Sequence, residues 1–312
     1  MSRWQEFLED YLAIRRAAGY QLNDTETILK GFVAFAERQG AEVLTTKMAL
    51  QWAQQPIDAH PGWWSTRLSK VRLFAKHLSA QDPRTEVPPT GLLPRGYSRR
   101  QPYIYTDDEV DRLLRAARNL PSPTGLRART YTAYLGLLAA TGMRMGEAVQ
   151  LDRDCVNLEQ GILTLLHTKL GRERHVPIHT TTQKALLDYR RFRDRIHPRP
   201  QTSSFFLAEH GQRLHKETVR DTFIKLSRQI GLRGPDQGYG PRLQDLRHRF
   251  AVRTMLDGYR TGADTEALLP KLSTYLGHAS VQSTYWYLTA VPELLQLAAE
   301  RFESFEALEP TS

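Results

Sequence analysis

The stretch CVNLEQGILTLLHTKLGRERHVPIH, residues 155–179, decides the fold class. Ile162 to His167 reads as a strand and Arg174 to Ile178 as a second, with Leu170-Gly171-Arg172 forming the turn between them. Two strand-like stretches joined by a short glycine-containing turn make a β-hairpin. Almost everything around it carries helical spacing instead. The chain is therefore expected to be mainly α with a small antiparallel β-sheet. Cys155 lies in DCVNL, which looks like a strand start, so its thiol is expected to be buried.

Three motifs flank the hairpin. Upstream, YTAYLGLLAAT (131–141) reads as a buried helix, followed by TGMRMGEAVQL (141–151). Gly142 can take the left-handed conformation that ends a helix. Arg144 then opens the next helix, with Glu147 three residues on. Two readings stand: a local Arg144–Glu147 ion pair, or a fixed guanidinium presented to an oxyanion or phosphate. Downstream, RLQDLRHRFAVRTML (242–256) places Leu243, Leu246, Phe250 and Val252 on an apolar face, with Arg247 and His248 between. Last comes LGHASVQSTYWYLTA (276–290), with Tyr285 and Tyr287 two residues apart. In a helix such residues point about 200° apart, so only one can face a reaction centre.

The first eighty residues read as four helices: Trp4 to Leu12 closed by Gly19, Asp24 to Arg38 stopped at Gly40, Thr46 to Gln54, and one after Pro61 carrying Trp63, Val71 and Phe74. Arg67, Lys70, Arg72 and Lys76 on the fourth are either a solvated face or phosphate contacts. VPPTGLLPRGYSRRQPY (87–103) holds four prolines, two glycines and three arginines, the composition of a basic linker. Thr106 with Glu109 makes a capping box that opens a new unit. The expected division is a domain over 1–88, a linker over 89–101 and a second domain over 102–312.

Lys+Arg number 43 against 34 Asp+Glu, a net charge of +9. That excess favours a polyanionic partner such as nucleic acid. Hairpin-tip Lys169 is then either a solubility residue or a cation reaching into a DNA groove. One cysteine excludes a disulfide framework and a cysteine-based zinc site within one chain. MSRWQEFLED carries acids and no apolar core, unlike a signal peptide, and no run of 18 apolar residues occurs. A soluble, cytoplasmic protein is expected.

TGMRMGE, the hairpin Lys169, QDLRH and LGH-x8-Y, in this order, resemble the catalytic domain of the tyrosine recombinases, the phage integrase family. The resemblance covers about residues 102 to 290. The N-terminal helices match the family's core-binding domain only in length, helicity and basic character. What it implies is site-specific DNA recombination through a covalent 3′-phosphotyrosine, for integration, excision or transposition of a mobile element, with no cofactor and no metal. Arg144 matches the first family arginine, Lys169 the hairpin lysine, Arg247 the second arginine, His278 the His/Trp position and Tyr287 the nucleophile. Glu147, Asp245 and His248 would support them, and Arg67, Lys70, Lys76, Arg99, Arg100 and Arg172 would contact DNA. The family's usual histidine three residues before the second arginine is Gln244 here. Gln244 cannot act as a base at neutral pH, but it can hydrogen-bond the phosphate. An active, slower enzyme is expected, and the rival reading is a catalytically idle DNA-binding relative. A type IB topoisomerase, which shares the nucleophile chemistry, is a second rival. The partners implied are double-stranded DNA and further copies of the chain, as a dimer or tetramer on DNA. The amphipathic tail VPELLQLAAERFESFEAL (291–308) either packs on its own domain or is exchanged between protomers.

Overall fold

The computed structural model describes residues 2–20, 22–94, 101–166, 173–235 and 237–278, together with Ser280 and Gln296. The chain divides into two compact units, Met1–Arg100 and Gln101–Ser312.

The first unit holds α1 (Arg3–Ala17), α2 (Asn23–Arg38), α3 (Thr46–Gln54) and α4 (Pro61–Leu78). Ser2 and Gln5 close a capping box at the start of α1, and Gly19 and Gly40 take positive φ just beyond α1 and α2. Trp4, Leu8, Phe32, Phe35, Trp52, Leu68 and Phe74 form the core. Arg67 is part of this packing. Its guanidinium lies 3.7 Å from the Trp52 ring centroid and donates to the Trp52 carbonyl at 2.8 Å. That ties α4 to α3. Arg72 donates to the Pro88 and Pro89 carbonyls, so the chain as far as these prolines is fastened to α4. Of the four bases, Lys70 is half-buried and Lys76 exposed.

The second unit runs α5 (Asp107–Arg118), α6 (Leu126–Thr141), α7 (Met145–Val149), β1 (Val156–Asn157), β2 (Ile162–Leu165), β3 (Arg174–Pro177), α8 (Thr180–Ile196), α9 (Lys216–Gln229), α10 (Asp245–Arg260) and α11 (Thr265–Leu276). Thr106 and Glu109 form the expected capping box on α5. The sheet is antiparallel in the order β1-β2-β3, with Leu163 paired to both Val156 and Val176. The hairpin thus gains a third, two-residue strand. Cys155 ends the one-turn helix before β1 and is only half-buried, which corrects the expectation of an enclosed thiol. Leu243 packs ahead of α10 rather than on it, and Phe250 is half-buried. Mainly helical with a small antiparallel sheet, the architecture is the one expected.

Candidate active site

The site is assembled where α6 gives way to α7, where α10 begins and where α11 ends. Gly142 terminates α6 with φ +60, and a Cβ there would meet Phe250 Cδ1 at 2.7 Å. Only glycine suits both the backbone and the contact. Arg144 follows as the cap of α7. Its backbone N–H donates to Glu147 Oε2 at 2.9 Å and its Nη1 to Glu147 Oε1 at 2.7 Å. The Glu147 side chain is 4% exposed. A carboxylate so enclosed needs partners, and it has a second one: Arg174 of β3 donates from Nη2 to Oε2 at 2.8 Å.

The last turn of α11 is the hub. A helix C-terminus leaves carbonyls unsatisfied and carries partial negative charge. Here three successive carbonyls each accept from an arginine of a different element. Arg174 Nη1 reaches Tyr275 O at 2.7 Å, Arg247 Nη2 reaches Leu276 O at 2.6 Å, and Arg144 Nη2 reaches Gly277 O at 3.0 Å. Arg247 is 2% exposed and also donates from Nη1 to Gly142 O at 3.0 Å. Gly277, at φ +66, ends the helix and delivers His278, whose N–H donates back to Ser273 O at 3.0 Å. Three guanidiniums thus gather on the end of α11, while the one carboxylate described among them, Glu147, pairs with Arg144 and Arg174, an excess of positive charge suited to an anion.

Supporting residues lie on either side. Asp245 is buried and accepts from the Arg242 N–H and guanidinium, both at 2.8 Å. His248 Nε2 lies 3.7 Å from Asp245 Oδ1. Gln244 is half-buried directly before α10, and its backbone carbonyl accepts from the Arg247 N–H at 3.1 Å. Tyr275 stacks on Phe250, and burial pushes its phenol up to about 12, so it stays protonated at neutral pH. Burial likewise lowers the Arg174 guanidinium from its ordinary value, with Glu147 acting against that shift.

Of the residues singled out from sequence, Arg144, Glu147 and Arg247 converge, and His278 follows directly on the turn they hold. Lys169, Arg172, Arg99, Arg100, Tyr285, Tyr287 and the tail, apart from Gln296, lie outside the described residues. Arg174 was missed. Its signal lay in the alternation of RERHVPIH: it shares a strand face with Val176, which is 1% exposed, so an arginine stood on the inward side. A groove of about 710 Å³ between α5, α6 and α8 is lined by none of these side chains. Among the described residues no three His, Cys, Asp or Glu side chains gather as a metal-ligand group. No described helix is long and apolar enough to cross a membrane.

Known proteins resemble this chain in sequence and in fold. A sequence model described as the phage integrase family matches residues 104–293. The integrase/recombinase y4rB of Sinorhizobium fredii is 44% identical over 97% of this chain and 98% of that protein. The tyrosine recombinase XerD of Staphylococcus epidermidis is 30% identical over 70% of this chain and 69% of its own. In fold, the chain resembles the XerH site-specific recombinase bound to its difH substrate (TM-score 0.66, 17% identity, 90% of this chain and 80% of that one). It also resembles the Tn1549 transposon integrase in complex with transposon end DNA (TM-score 0.64, 14% identity, 95% and 99%). With the family's sequence model matching most of the chain and a 44% identical relative spanning nearly all of it, the protein belongs to the phage integrase family, the tyrosine-type site-specific DNA recombinases.

Proposed function

We propose that the protein cuts and rejoins double-stranded DNA at specific sites through a covalent 3′-phosphotyrosine on Tyr287, and that it serves to integrate, excise or transpose a mobile element. The observation that supports this best is the meeting of Arg144 and Arg247 on the adjoining carbonyls of Gly277 and Leu276. Two forked, permanently charged donors meet at one spot, a short stretch before Tyr287 in the chain.

In this reading the Tyr287 phenolate attacks the scissile phosphorus. The P–O5′ bond breaks, and the leaving 5′-oxygen takes a proton from Lys169. Arg144 and Arg247 stabilise the charge that develops on the non-bridging oxygens, and His278 hydrogen-bonds one of them. A partner strand's 5′-hydroxyl then attacks the phosphotyrosine, the P–O bond to tyrosine breaks, and the phenol is regenerated. The nearby arginines favour the phenolate, which offsets part of the loss of a general base at Gln244. Glu147 holds Arg144 in place, and Asp245 and His248 brace the start of α10.

The first unit also holds DNA, with Lys70, Lys76, Arg99 and Arg100 as phosphate contacts, and Arg172 of the hairpin adds one from the second unit. Arg67, committed to Trp52, contributes by packing. The working form is a dimer or tetramer on DNA, with the 291–308 tail exchanged between copies. This extends to the chain what is stated for its neighbours: lambda integrase has been seen as a tetramer on a Holliday junction.

The test uses nicked duplexes from DNA flanking the protein's own gene. Wild type should form a protein–DNA adduct that survives denaturant, and Tyr287→Phe should form none. Tight binding with no adduct from wild type would instead identify a catalytically idle relative, with Gln244 as its cause.

A further inference from the structure

We propose that Arg174 is a positioning residue of the recombination site: it locks the end of α11, and with it His278, against the Arg144–Glu147 pair. The inference rests on the proposed function above.

Four observations converge on it. Arg174 spans two partners that belong to different elements, Glu147 Oε2 of α7 at 2.8 Å and Tyr275 O of α11 at 2.7 Å. Its side chain is only 11% exposed, so it is built into the site rather than laid over it. A Cβ at position 277 would come within 2.7 Å of Arg174 Nη1, so the glycine before His278 is also the space the guanidinium fills. Finally, β3 is the strand that leaves the hairpin loop carrying Lys169, and it pairs with β2 through Arg174 and Leu165. One side chain therefore connects the hairpin, the carboxylate that aims Arg144 and the turn that presents His278.

Arg174 spends the two donors described on protein groups, one on a carboxylate and one on a carbonyl. In this proposal it makes no phosphate contact, so its removal should leave DNA affinity intact while the reacting groups lose registration. A shift of about 1 Å in such a constellation costs on the order of 10²-fold in rate. Lysine keeps the charge, but its single ammonium cannot hold the carboxylate and the carbonyl in the same planar fork.

The experiment measures two quantities on the same nicked flanking duplex: affinity by gel shift and the first-order rate of covalent adduct formation. Wild type, Arg174→Gln, Arg174→Lys, His278→Ala and Arg174→Gln/His278→Ala are compared. Arg174→Gln should lower the rate by about 10- to 100-fold with affinity within about twofold, and Arg174→Lys should recover only part of it. In the His278→Ala background the same substitution should cost much less, because the turn then has no histidine to present. An undiminished penalty in that background, a parallel loss of affinity, or a wild-type rate for Arg174→Lys would overturn the proposal. If Arg174→Gln does not fold, the Arg174→Lys rate and affinity decide alone. A wild-type chain that forms no adduct removes the recombinase mechanism itself, whereas an active wild type with indifferent Arg174 variants removes only this inference.

Discussion

Replacing Glu147 by alanine tests how the site is held together. The carboxylate accepts the Arg144 backbone N–H, the Arg144 guanidinium and the Arg174 guanidinium at 2.7 to 2.9 Å. Removing one partner of a buried pair costs about 3–5 kcal/mol, because the other charge is left buried and uncompensated. Arg174, at 11% exposure, would suffer that cost nearly in full, while Arg144, at 26%, can partly rehydrate. The lower end, about 3 kcal/mol, is therefore expected. A unit of this size moves by roughly 2–4 °C per kcal/mol, so the melting transition should fall by about 6–12 °C. Calorimetry reads this directly, and the adduct rate should fall as well because Arg144 loses its aim. Glu147→Gln should lie in between, since the amide keeps an acceptor oxygen but turns an NH₂ toward a guanidinium. A Glu147→Ala variant that melts within about 2 °C of wild type would refute the view that this carboxylate is the keystone.

Other outcomes follow from the same structure. Gly142→Ala adds a roughly 1–2 kcal/mol left-handed backbone penalty and a Cβ 2.7 Å from Phe250 Cδ1; it should destabilise the chain and depress adduct formation by shifting the carbonyl that Arg247 holds. Gln244→His restores a candidate base and should leave the adduct rate equal or raise it by up to about 10²-fold; a large loss would show that Gln244 is more than a weakened histidine. Partial burial pushes the Glu209 carboxyl up, but hydrogen bonds from the Ser122 and Thr124 hydroxyls and the Thr124 and Arg127 N–H groups outweigh it and hold it at about 2. Its folded value is thus below the unfolded value of about 4.3. The stability it contributes is present above that pH and is lost as pH falls toward 2. Glu209→Gln should therefore flatten the acid limb of the melting temperature between about pH 5 and 2, and an unchanged limb would contradict the assignment.

What could be read in advance was what local rules govern. The Thr106–Glu109 box, the glycine ends at Gly19, Gly40 and Gly142, and the Arg144–Glu147 pair all involve residues within a turn of one another. Arg174 could not be weighted in that way, because its partners stand 27 and 101 residues away and meet only when β3 packs on α7 and α11. Arg67 was open to a phosphate-contact reading for the same reason: its Trp52 partner is 15 residues earlier, across the α3–α4 contact. The third strand was faint because it is two residues long, below any periodicity. Arg144 and Arg247 could be paired only through motif resemblance, since nothing in their spacing says that α11 will bring its carbonyls to both.

The most direct measurement is the identity of the residue that carries DNA. Wild-type protein trapped on a nicked flanking duplex is digested with nuclease and protease, and the peptide spanning residues 272–301 is fragmented by mass spectrometry. The account predicts a nucleotide remnant on Tyr287. A remnant on Tyr285, or on no tyrosine of that peptide, would contradict it.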